Sequence, residues 1–469
     1  MSQTLRDKKN EIIGKIKQFV AVICLGPITL GSSLSWTAPV LPQLLNANST
    51  TSFHLTNAEG SWVGSMVAVG VLMSALISGY LADRFGVKKI TLVLIVPVWL
   101  FTVLVLLADN VYVLCLARLF SGIATGGISV VGPMYISEIS DISVRGILGS
   151  FFEFLIYFGV VVAVVLGSYL DYKILTVIMG ISALILSIIF AFFPESPTYL
   201  MKFNKRERAE KSLRFYKSEK YNFDKALDEI AASVNKESKK VNIAIALQSK
   251  AVTRGLIAGV GLTIIQQLSG IDGVIFYTVQ IFQAAGTEYL DPFVSSIIVS
   301  VVELFSAVVM LFVVERASRR AFLFASCGGT GVCLLILGVY FHLKLHGLYF
   351  IGMGAIPLIS VVLYAFMFAV GLGPVLYLMY GELFSPDVKG LAIGIIITTN
   401  WSMLFLITKT FPVMMVDIGA HYTFYMYSLC MFLSLIFIKY CVPETRGKSL
   451  EQIQLELGTS KRKLNEIVC

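Results

Sequence analysis

The sequence predicts an all-α membrane protein of twelve transmembrane helices, arranged as two parallel six-helix repeats with a cytoplasmic helical linker between them. Of its 469 residues, 57% are hydrophobic and 14% are charged, and the mean hydropathy is +0.81. That composition is too apolar for a water-soluble domain of this length. Apolar runs of roughly 20 residues, enough to cross a hydrocarbon core of about 30 Å, recur along the chain. Three charged motifs also recur in the same order in its two halves.

Twelve apolar runs are long enough to be transmembrane spans, numbered here in chain order. Spans 1 to 6 are predicted at 19–44, 58–81, 90–108, 112–137, 147–169 and 173–192. Spans 7 to 12 are predicted at 255–285, 291–313, 319–341, 353–383, 390–415 and 420–441. The stretch between the two sets is rich in Lys, Arg and Glu, and its pattern predicts short helices with a solvated face. The expected divisions are an N-terminus at 1–18, an N-terminal bundle at 19–193, a linker at 194–253, a C-terminal bundle at 254–441 and a tail at 442–469.

Basic residues predict the orientation. The first eighteen residues are charged and the run after them is long enough to span, so no cleavable signal is expected. All but four of the 37 basic residues lie in segments that share a side with the N-terminus; the exceptions are Arg118, Lys173, Lys344 and Lys409. By the positive-inside bias that side is cytoplasmic, with both termini there and the chain a multi-pass protein of the cell membrane. The net charge of +8 then reflects topology and indicates a bilayer partner, with no case for nucleic acid. Asn48, in an Asn-Ser-Thr sequon of the first outer loop, is a predicted glycosylation site.

The charged motifs lie at predicted cytoplasmic helix ends. Asp83-Arg84 after span 2 matches Glu315-Arg316 after span 8, and "PES" at 194–196 matches "PET" at 443–445. Because each half has an even number of spans, the halves are related by an axis along the membrane normal. The motifs predict a network of acid–base pairs that holds an inner gate shut; anchoring of the topology is the alternative. The predicted cytoplasmic gate network comprises Asp83, Arg84, Arg118, Glu138, Arg145, Glu195, Glu315, Arg316, Glu382, Lys389 and Glu444.

Six segments carry a resemblance to a known family. They are "LADRFGVKK", "PMYISEISDISVRG", "PESPTYL", "QQLSGIDGVIFYT", "VERASRR" and "PETRGKSLEQI". In order and spacing they resemble the signature segments of the sugar porter branch of the major facilitator superfamily, over nearly the whole chain. "NWSMLFLITKTF" and the first outer loop are further similar to insect facilitated trehalose and glucose transporter-like proteins. The resemblance implies a secondary transporter, working as a monomer, that moves a monosaccharide, a trehalose-like disaccharide or a sugar-containing compound by alternating access.

The resemblance implies that Gln266 and Gln267 of span 7 hydrogen-bond sugar hydroxyls. An amide offers two donors and an acceptor, which suits a hydroxyl-rich solute, and costs a few kcal/mol when left unpaired in an apolar medium. Gly270 weakens the helix nearby. The alternative is that the two amides tie span 7 to its neighbours.

Further residues are expected around the same cavity. Tyr277 in span 7 and Phe368 and Tyr377 in span 10 match positions at which the family presents aromatic rings to the solute. Asn400 in span 11 is expected to line the cavity with them. Span 10 also contains Gly371, Gly373 and Pro374, which predict a flexible point and make this span a gate candidate.

Three carboxyl groups depart from the family pattern. Amides of the family become Glu153 in span 5, Asp272 in span 7 and Glu303 in span 8. A carboxylate deep in a bilayer costs about 2.5–3.5 kcal/mol, so these should face a wet cavity, be protonated or be paired. Carboxyl groups buried close together hold protons more tightly. Asp272 and Glu303 are expected to bind solute in the same cavity as the glutamines. Glu153 is the proton-coupling candidate, although span 1 reads "GSSLSWTAP" and lacks the acid typical of proton-coupled members. The rival interpretation is a site for a glycoside or a cationic solute.

Other classes of function have less support. A non-transporting sugar sensor would resemble this chain, but such sensors usually add a long cytoplasmic extension. No nucleotide loop or nucleophile–base motif indicates an enzyme. The seven cysteines show no paired or metal-ligand spacing and the four histidines are scattered, so neither a cofactor nor a metal is expected.

Overall fold

The computed structural model describes residues 3–46, 53–140, 142–217, 221–237, 249–286, 290–313, 318–348, 350–384, 386–446, 448 and 450–458. Within these residues the chain forms helices and turns and contains no strand. The all-α fold class predicted from composition is therefore confirmed.

The first half follows the predicted order of spans. Span 1 consists of three helices, Gln3–Cys24, Pro27–Ser35 and Thr37–Leu45. Spans 2 and 3 are formed by Asn57–Phe85, then Val87–Val93 and Ile95–Leu107. Spans 4, 5 and 6 are Val111–Ile139, Ile142–Tyr169 and Tyr172–Ala191. The linker contains Pro197–Lys202, Arg206–Tyr216 and Phe223–Glu237, as its pattern predicts.

The second half has the more interrupted helices. Span 7 is broken into Lys250–Leu268, Ile271–Phe276 and Thr278–Ala285. Spans 8 and 9 are Pro292–Val313 and Arg319–Leu345. Span 10 starts with a 3₁₀ turn at Met353–Ala355 and continues as Ile356–Val370 and Pro374–Leu383. Span 11 is Pro386–Met414, a π-helical turn covers Met415–Gly419, span 12 is Ala420–Cys441, and Leu450–Gly458 forms a last helix.

Eleven helical stretches among the described residues are long and apolar enough to cross a bilayer. The last of these, Val388–Cys441, has 54 residues. At a rise of about 1.5 Å per residue such a helix would be far longer than a hydrocarbon core of about 30 Å. The π-helical turn at Met415–Gly419 divides it where the sequence predicts the boundary between spans 11 and 12.

Polar side chains start several of these helices. Asn110 accepts a hydrogen bond from the Val113 amide (3.1 Å) at the start of span 4, and Asp171 accepts one from the Lys173 amide (2.8 Å) before span 6. At the start of span 2 the Glu59 carboxylate accepts from the Thr56 amide (2.8 Å) while the Thr56 hydroxyl accepts from the Glu59 amide (3.3 Å). These contacts satisfy amides that have no partner inside the helix.

Contacts between residues divide the chain into two units. The first unit contains residues 1–34 and 66–240, and the second contains 35–65 and 241–469. Residues 35–65, which the sequence assigns to the N-terminal bundle, thus group with the second half. Within the second unit the helix Thr37–Leu45 packs against the last part of span 7, Thr278–Ala285.

The linker packs on the first unit. Lys17 and Gln18, in the first helix, donate to the carbonyl groups of Phe215 (3.1 Å) and Tyr216 (3.4 Å). The Tyr216 hydroxyl also lies 2.8 Å from the hydroxyl of Tyr135 in span 4. The linker helix Arg206–Tyr216 is therefore joined to spans 1 and 4 by hydrogen bonds.

Candidate functional site

Span 7 loses its regular helix directly after the two glutamines. Gly270 has φ +80°, in the left-handed region, and a Cβ added there would lie 3.3 Å from the Tyr427 ring. A side chain at this position would be strained, so glycine sets the break. The backbone resumes a helix at Ile271, and a second interruption follows at Tyr277. Broken helices of this kind expose backbone groups near solute sites in transporters.

Gln266 joins three elements of the second unit. Its Nε2 donates to the carbonyl oxygen of Leu372 (3.1 Å), in the non-helical stretch of span 10. Its Oε1 accepts from Nδ2 of Asn400 in span 11 (2.9 Å). The side chain is buried, and both ends of its amide have partners within the protein. Gln266 therefore does what the alternative reading of the sequence proposed, tying span 7 to its neighbours.

Gln267 differs from its neighbour in the way its amide is used. It is 3% exposed and its Oε1 has no hydrogen-bond partner among the described residues. Its side chain hydrogen-bonds the carboxyl group of Asp272, one turn along the broken helix. Buried polar atoms are nearly always paired, so an unpaired one needs an explanation. The Oε1 of Gln267 is a buried acceptor that lacks a partner among the described residues.

Asp272 and Glu303 form an acid pair beside the two glutamines. Glu303 of span 8 is 4% exposed, Asp272 is half-buried, and the two carboxyl groups interact electrostatically. The Tyr364 hydroxyl donates to the Ser269 carbonyl (3.0 Å) next to them. No lysine or arginine pairs with either acid in the described part of the chain. The pair must hold a proton or meet a donor from solvent or solute, because unpaired buried charges are costly.

The three predicted aromatic residues have different surroundings. Tyr277 is buried, donates to the Thr408 carbonyl (2.7 Å) and stacks on Phe411 with ring centres 5.9 Å apart. Phe368 is buried just before the break in span 10. Tyr377 is 54% exposed and packs edge-on against Tyr380. Tyr277 is thus held by the backbone of span 11, and the solute-binding role of Tyr377 stays a prediction.

Glu153 lies in the first unit, and the acid pair belongs to the second. Its side chain is exposed on the helix of span 5, and no hydrogen bond or ion pair to it occurs among the described residues. The neighbouring Phe152 packs into the core. The predicted role of Glu153 in proton coupling stays a prediction.

Arg118 is placed apart from the gate network to which the sequence assigned it. It is fully buried in the first third of span 4, where its guanidinium donates to the Ser33 carbonyl (2.8 Å) and to the Ser121 hydroxyl (3.4 Å). Among the acids of the network in this unit, Glu138 lies at the opposite end of span 4, and Glu195 is joined to it there through Ser196. Arg118 therefore belongs to a polar contact between spans 1 and 4, and this corrects its assignment.

The "PES" segment forms a clamp in the first unit. The Glu195 carboxylate accepts from the backbone amides of Lys88 (2.9 Å) and Ser196 (3.0 Å), and the Ser196 hydroxyl donates to Glu138 at the end of span 4. Lys88 lies in the first turn of span 3, so the carboxylate caps that helix. A negative charge at a helix N-terminus is favourable. Spans 3, 4 and 6 are joined at this end.

The "PET" segment forms the matching clamp in the second unit. The Glu444 carboxylate accepts from the amides of Arg319 (3.0 Å) and Arg320 (3.1 Å), at the start of span 9. The Thr445 hydroxyl donates to Glu382 at the end of span 10 (2.5 Å), and Arg319 also contacts Glu382 (3.3 Å). The predicted repeat of these motifs thus appears as a repeated arrangement of atoms.

Other members of the predicted network are more peripheral. Asp83 pairs with Lys202 at 3.6 Å with both side chains well exposed, and Arg84 contacts Tyr80. Arg145 is exposed, and Lys389 donates to the Gly381 carbonyl (3.1 Å). Glu315, Arg316 and the predicted glycosylation site Asn48 lie outside the described residues. Each unit therefore joins two of these acids to the start of a helix: Glu138 and Glu195 in the first unit, and Glu382 and Glu444 in the second.

One polar contact in the second unit received no role from the sequence. Lys409 of span 11 places its Nζ 2.7 Å from the Ser61 hydroxyl and 4.0 Å from the centre of the Trp62 ring, both at the start of span 2. We name Lys409, Ser61 and Trp62 the outer contact, because the predicted topology puts it on the non-cytoplasmic side. The sequence does show a single lysine within an apolar span, which indicates a polar partner. It does not show that the partners are Ser61 and Trp62, because they are about 350 residues away.

Replacing Glu444 by Gln should weaken the second clamp. Burial raises the pKa of Glu444, but the amides of Arg446, Arg320 and Arg319 outweigh it and hold the pKa below the ordinary value. Its stabilisation is present above the unfolded-state pKa of about 4.3 and is lost as pH falls through the lower folded-state pKa. We expect Glu444→Gln to cost roughly 1 kcal/mol at neutral pH, given partial exposure, and to remove that acid-dependent loss. Thermal melts of the purified variant between neutral and acidic pH measure this.

The control for this prediction is Glu229→Gln, in an exposed pair with Lys225 at 4.0 Å. It should change neither the melting temperature nor its pH dependence. Equal behaviour of Glu444→Gln and Glu229→Gln would contradict the clamp.

The fold and these repeated clamps define a class: a multi-span helical membrane protein built from two halves of like design. Solved structures agree on the fold. The partially occluded inward-open form of the xylose transporter XylE from E. coli aligns with TM-score 0.76 and 25% identity, covering 92% of this chain and 99% of that one. The proton:xylose symporter XylE bound to a bromo-deoxyglucose aligns with TM-score 0.72 and 24% identity, covering 94% and 99%.

The model of the family "Sugar (and other) transporter" matches residues 19–457. The chain belongs to this sugar transporter family. Facilitated trehalose transporters Tret1 from Aedes aegypti and Culex quinquefasciatus are each 31% identical over 447 residues, or 95% of this chain. The chain covers 55% of the Aedes protein and 86% of the Culex protein, so it spans about half the length of several relatives that it matches. Membership confirms the resemblance read from the six segments.

Proposed function

We propose that this chain transports a sugar across the cell membrane by alternating access, with a solute site beside the break of span 7. The observation that carries this proposal is the buried, unpaired Oε1 of Gln267 next to the acid pair. A solute hydroxyl can donate to that oxygen and, with its own oxygen, accept from a protonated carboxyl. Gln266 hydrogen-bonds Asn400 and the Leu372 carbonyl. We therefore assign Gln266 and Asn400 to positioning the helices around the site, and Gln267 to direct solute binding.

The substrate class follows from the hydrogen-bonding character of the site. Amide and carboxyl groups match the alternating donors and acceptors of a hydroxylated ring. Relatives described as trehalose transporters and a structural neighbour described as a xylose transporter support a monosaccharide or a trehalose-like disaccharide. A monomer with both termini in the cytoplasm is the form we propose.

A second candidate is a proton-coupled or cation-binding variant of the same function. It is favoured by the acid pair, which has no basic partner among the described residues, and by the exposed carboxyl group of Glu153. Such carboxyl groups are suited to carry a proton or to pair with a cationic glycoside. One observation argues against coupling. Span 1 has no acid in the stretch that contacts Arg118, and the arginine donates instead to the backbone carbonyl of Ser33.

An uptake screen tests the proposed function. The full chain would be produced in oocytes or in yeast that lack hexose carriers, and uptake of labelled trehalose, glucose, xylose and an organic cation compared with mock cells. We expect saturable uptake of at least one sugar, with competition by the unlabelled compound. Uptake of the cation alone would favour the second candidate, and uptake of none would contradict both.

Coupling to protons has a separate prediction. If a carboxyl group carries a proton, initial uptake at about pH 5.5 should exceed that at about pH 7.5, and a protonophore should abolish the difference. Glu153→Gln should then make uptake independent of the pH gradient, while Asp171→Asn, a change in the exposed cap of span 6, should not. Equal initial rates at both pH values in the unmodified chain would rule out coupling.

A further inference from the structure

Three of the four histidines lie together at one end of the second unit. His342 and His346 are one turn apart at the end of the span 9 helix, and His421 is in the first turn of span 12. The ring centres of His342 and His346 are 5.0 Å apart, and those of His342 and His421 are 5.3 Å apart. The four histidines are scattered along the sequence. The packing of spans 9 and 12 brings these three together, and we name them the histidine cluster.

The cluster lies on a fixed seam between two helices. Spans 9 and 12 pack along their length, and the Ser428 hydroxyl of span 12 donates to the Gly331 carbonyl of span 9 (2.7 Å). Gly419, directly before span 12, has φ +98°, and a Cβ there would lie 2.9 Å from Cε1 of His421. Only glycine fits this turn without displacing the ring. The backbone thus sets the position of His421 against span 9.

We propose that His342, His346 and His421 bind a divalent transition-metal ion, with Zn²⁺ as the best match. Since a Zn–N bond is about 2.0–2.1 Å, two imidazole rings on one tetrahedral ion have centres about 5 Å apart. Both measured ring spacings are close to this value. A pair of histidines four residues apart on one helix face is a recurrent zinc-binding arrangement, and imidazole is a preferred ligand of zinc and its neighbours.

An unpaired nitrogen supports the same assignment. Nδ1 of His342 is buried and has no hydrogen-bond partner among the described residues. Buried ring nitrogens are ordinarily paired, and a metal ion would satisfy this one. His346 is exposed, which gives an ion a route from solvent and leaves room for water as a fourth ligand.

The rings need a small rearrangement to bind. As they stand, no group of three histidine, cysteine or acidic side chains in the described residues is arranged to hold a metal ion. Metal binding therefore requires rotation about the side-chain bonds of His346 and His421, so that their nitrogens face the same point as Nδ1 of His342. The bound ion would cross-link the ends of spans 9 and 12, stabilising this unit. The cluster shares no residue with the proposed solute site, so this inference stands apart from sugar transport.

The test uses the purified full chain after treatment with a chelator. Zn²⁺ is titrated in competition with a chromophoric chelator, and the melting temperature is recorded with and without zinc. We expect one ion per chain and a higher melting temperature with zinc, reversed by excess chelator. His342→Ala and His421→Ala should each weaken binding by at least about tenfold and remove the zinc-dependent rise.

The fourth histidine supplies the matched control. His54→Ala should leave both zinc binding and the zinc-dependent rise unchanged. His342→Gln and His421→Gln keep side-chain bulk, so loss of binding in variants that melt normally without zinc would support the site. No saturable binding, or binding that survives both glutamine variants, would overturn the proposal. The same holds for a melting temperature that responds to pH but not to zinc.

Discussion

Replacing Gln267 by Leu is expected to weaken sugar binding by about tenfold to a hundredfold while leaving the protein folded. The leucine removes the buried Oε1 that has no partner within the described chain, and with it one hydrogen bond to the solute. A buried hydrogen bond of this kind is worth about 1–3 kcal/mol, or about fivefold to 160-fold in affinity, and the expected loss lies within these limits. Sugar binding to the purified chain, measured by ligand-dependent thermal shift or by competition with labelled sugar, gives the affinity directly.

The neighbouring glutamine supplies the contrast. Gln266→Leu leaves the Leu372 carbonyl and the Asn400 amide without the partners they have now, so it should lower the free energy of unfolding by about 2–4 kcal/mol. Gln267→Leu loses only the contact with the Asp272 carboxyl group, so it should lower the free energy of unfolding by less, about 1 kcal/mol. Loss of stability in Gln267→Leu with unchanged affinity per folded molecule would show that the two amides have the opposite roles.

Replacing Lys409 by Met should release the outer contact. The lysine donates to the Ser61 hydroxyl (2.7 Å) and lies over the Trp62 ring (4.0 Å). A charge-assisted hydrogen bond and a cation–π contact at a half-buried site together contribute about 1–2 kcal/mol. If the transporter alternates, this contact must break whenever its solute site opens to that side. The variant should therefore favour the open state by about tenfold.

A buried reporter in the same region measures that shift. Ser65 is fully buried in span 2, and a Ser65→Cys chain should react with a membrane-impermeant thiol reagent only while this region is open. Lys409→Met should raise the labelling rate by about tenfold. The control is Lys344→Met, because Lys344 donates to the carbonyls of Ala284 and Ala285, between spans 7 and 9. Equal labelling in the Lys409→Met and unmodified backgrounds would show that this contact does not hold the region closed.

Composition and repeats were sufficient to predict the fold, because a bilayer requires its spanning segments to be apolar helices. The repeated "PES" and "PET" segments also predicted atomic contacts well. Glu195 and Glu444 each cap a helix start through backbone amides. Such caps depend on residues at fixed places relative to helix ends, and a sequence shows those places.

Side-chain partners across distant helices could not be predicted in this way. Arg118 was assigned to the cytoplasmic gate network by its charge, yet it meets the Ser33 carbonyl, and a sequence does not show which backbone groups are open. Likewise both glutamines of span 7 look alike in the sequence. The break in span 10 gives one of them, Gln266, a carbonyl partner at Leu372. The histidine cluster exists only because spans 9 and 12 are neighbours.

Counterflow in proteoliposomes tests the central claim, that solute passes through a site formed beside the break of span 7. Vesicles loaded with unlabelled sugar would take up the same labelled sugar against its gradient if the chain transports it. We predict counterflow with the unmodified chain and a loss of at least about tenfold with Gln267→Leu at low sugar concentration. Full counterflow in Gln267→Leu would contradict the assignment of the site, and no counterflow of any bound sugar in the unmodified chain would contradict transport itself.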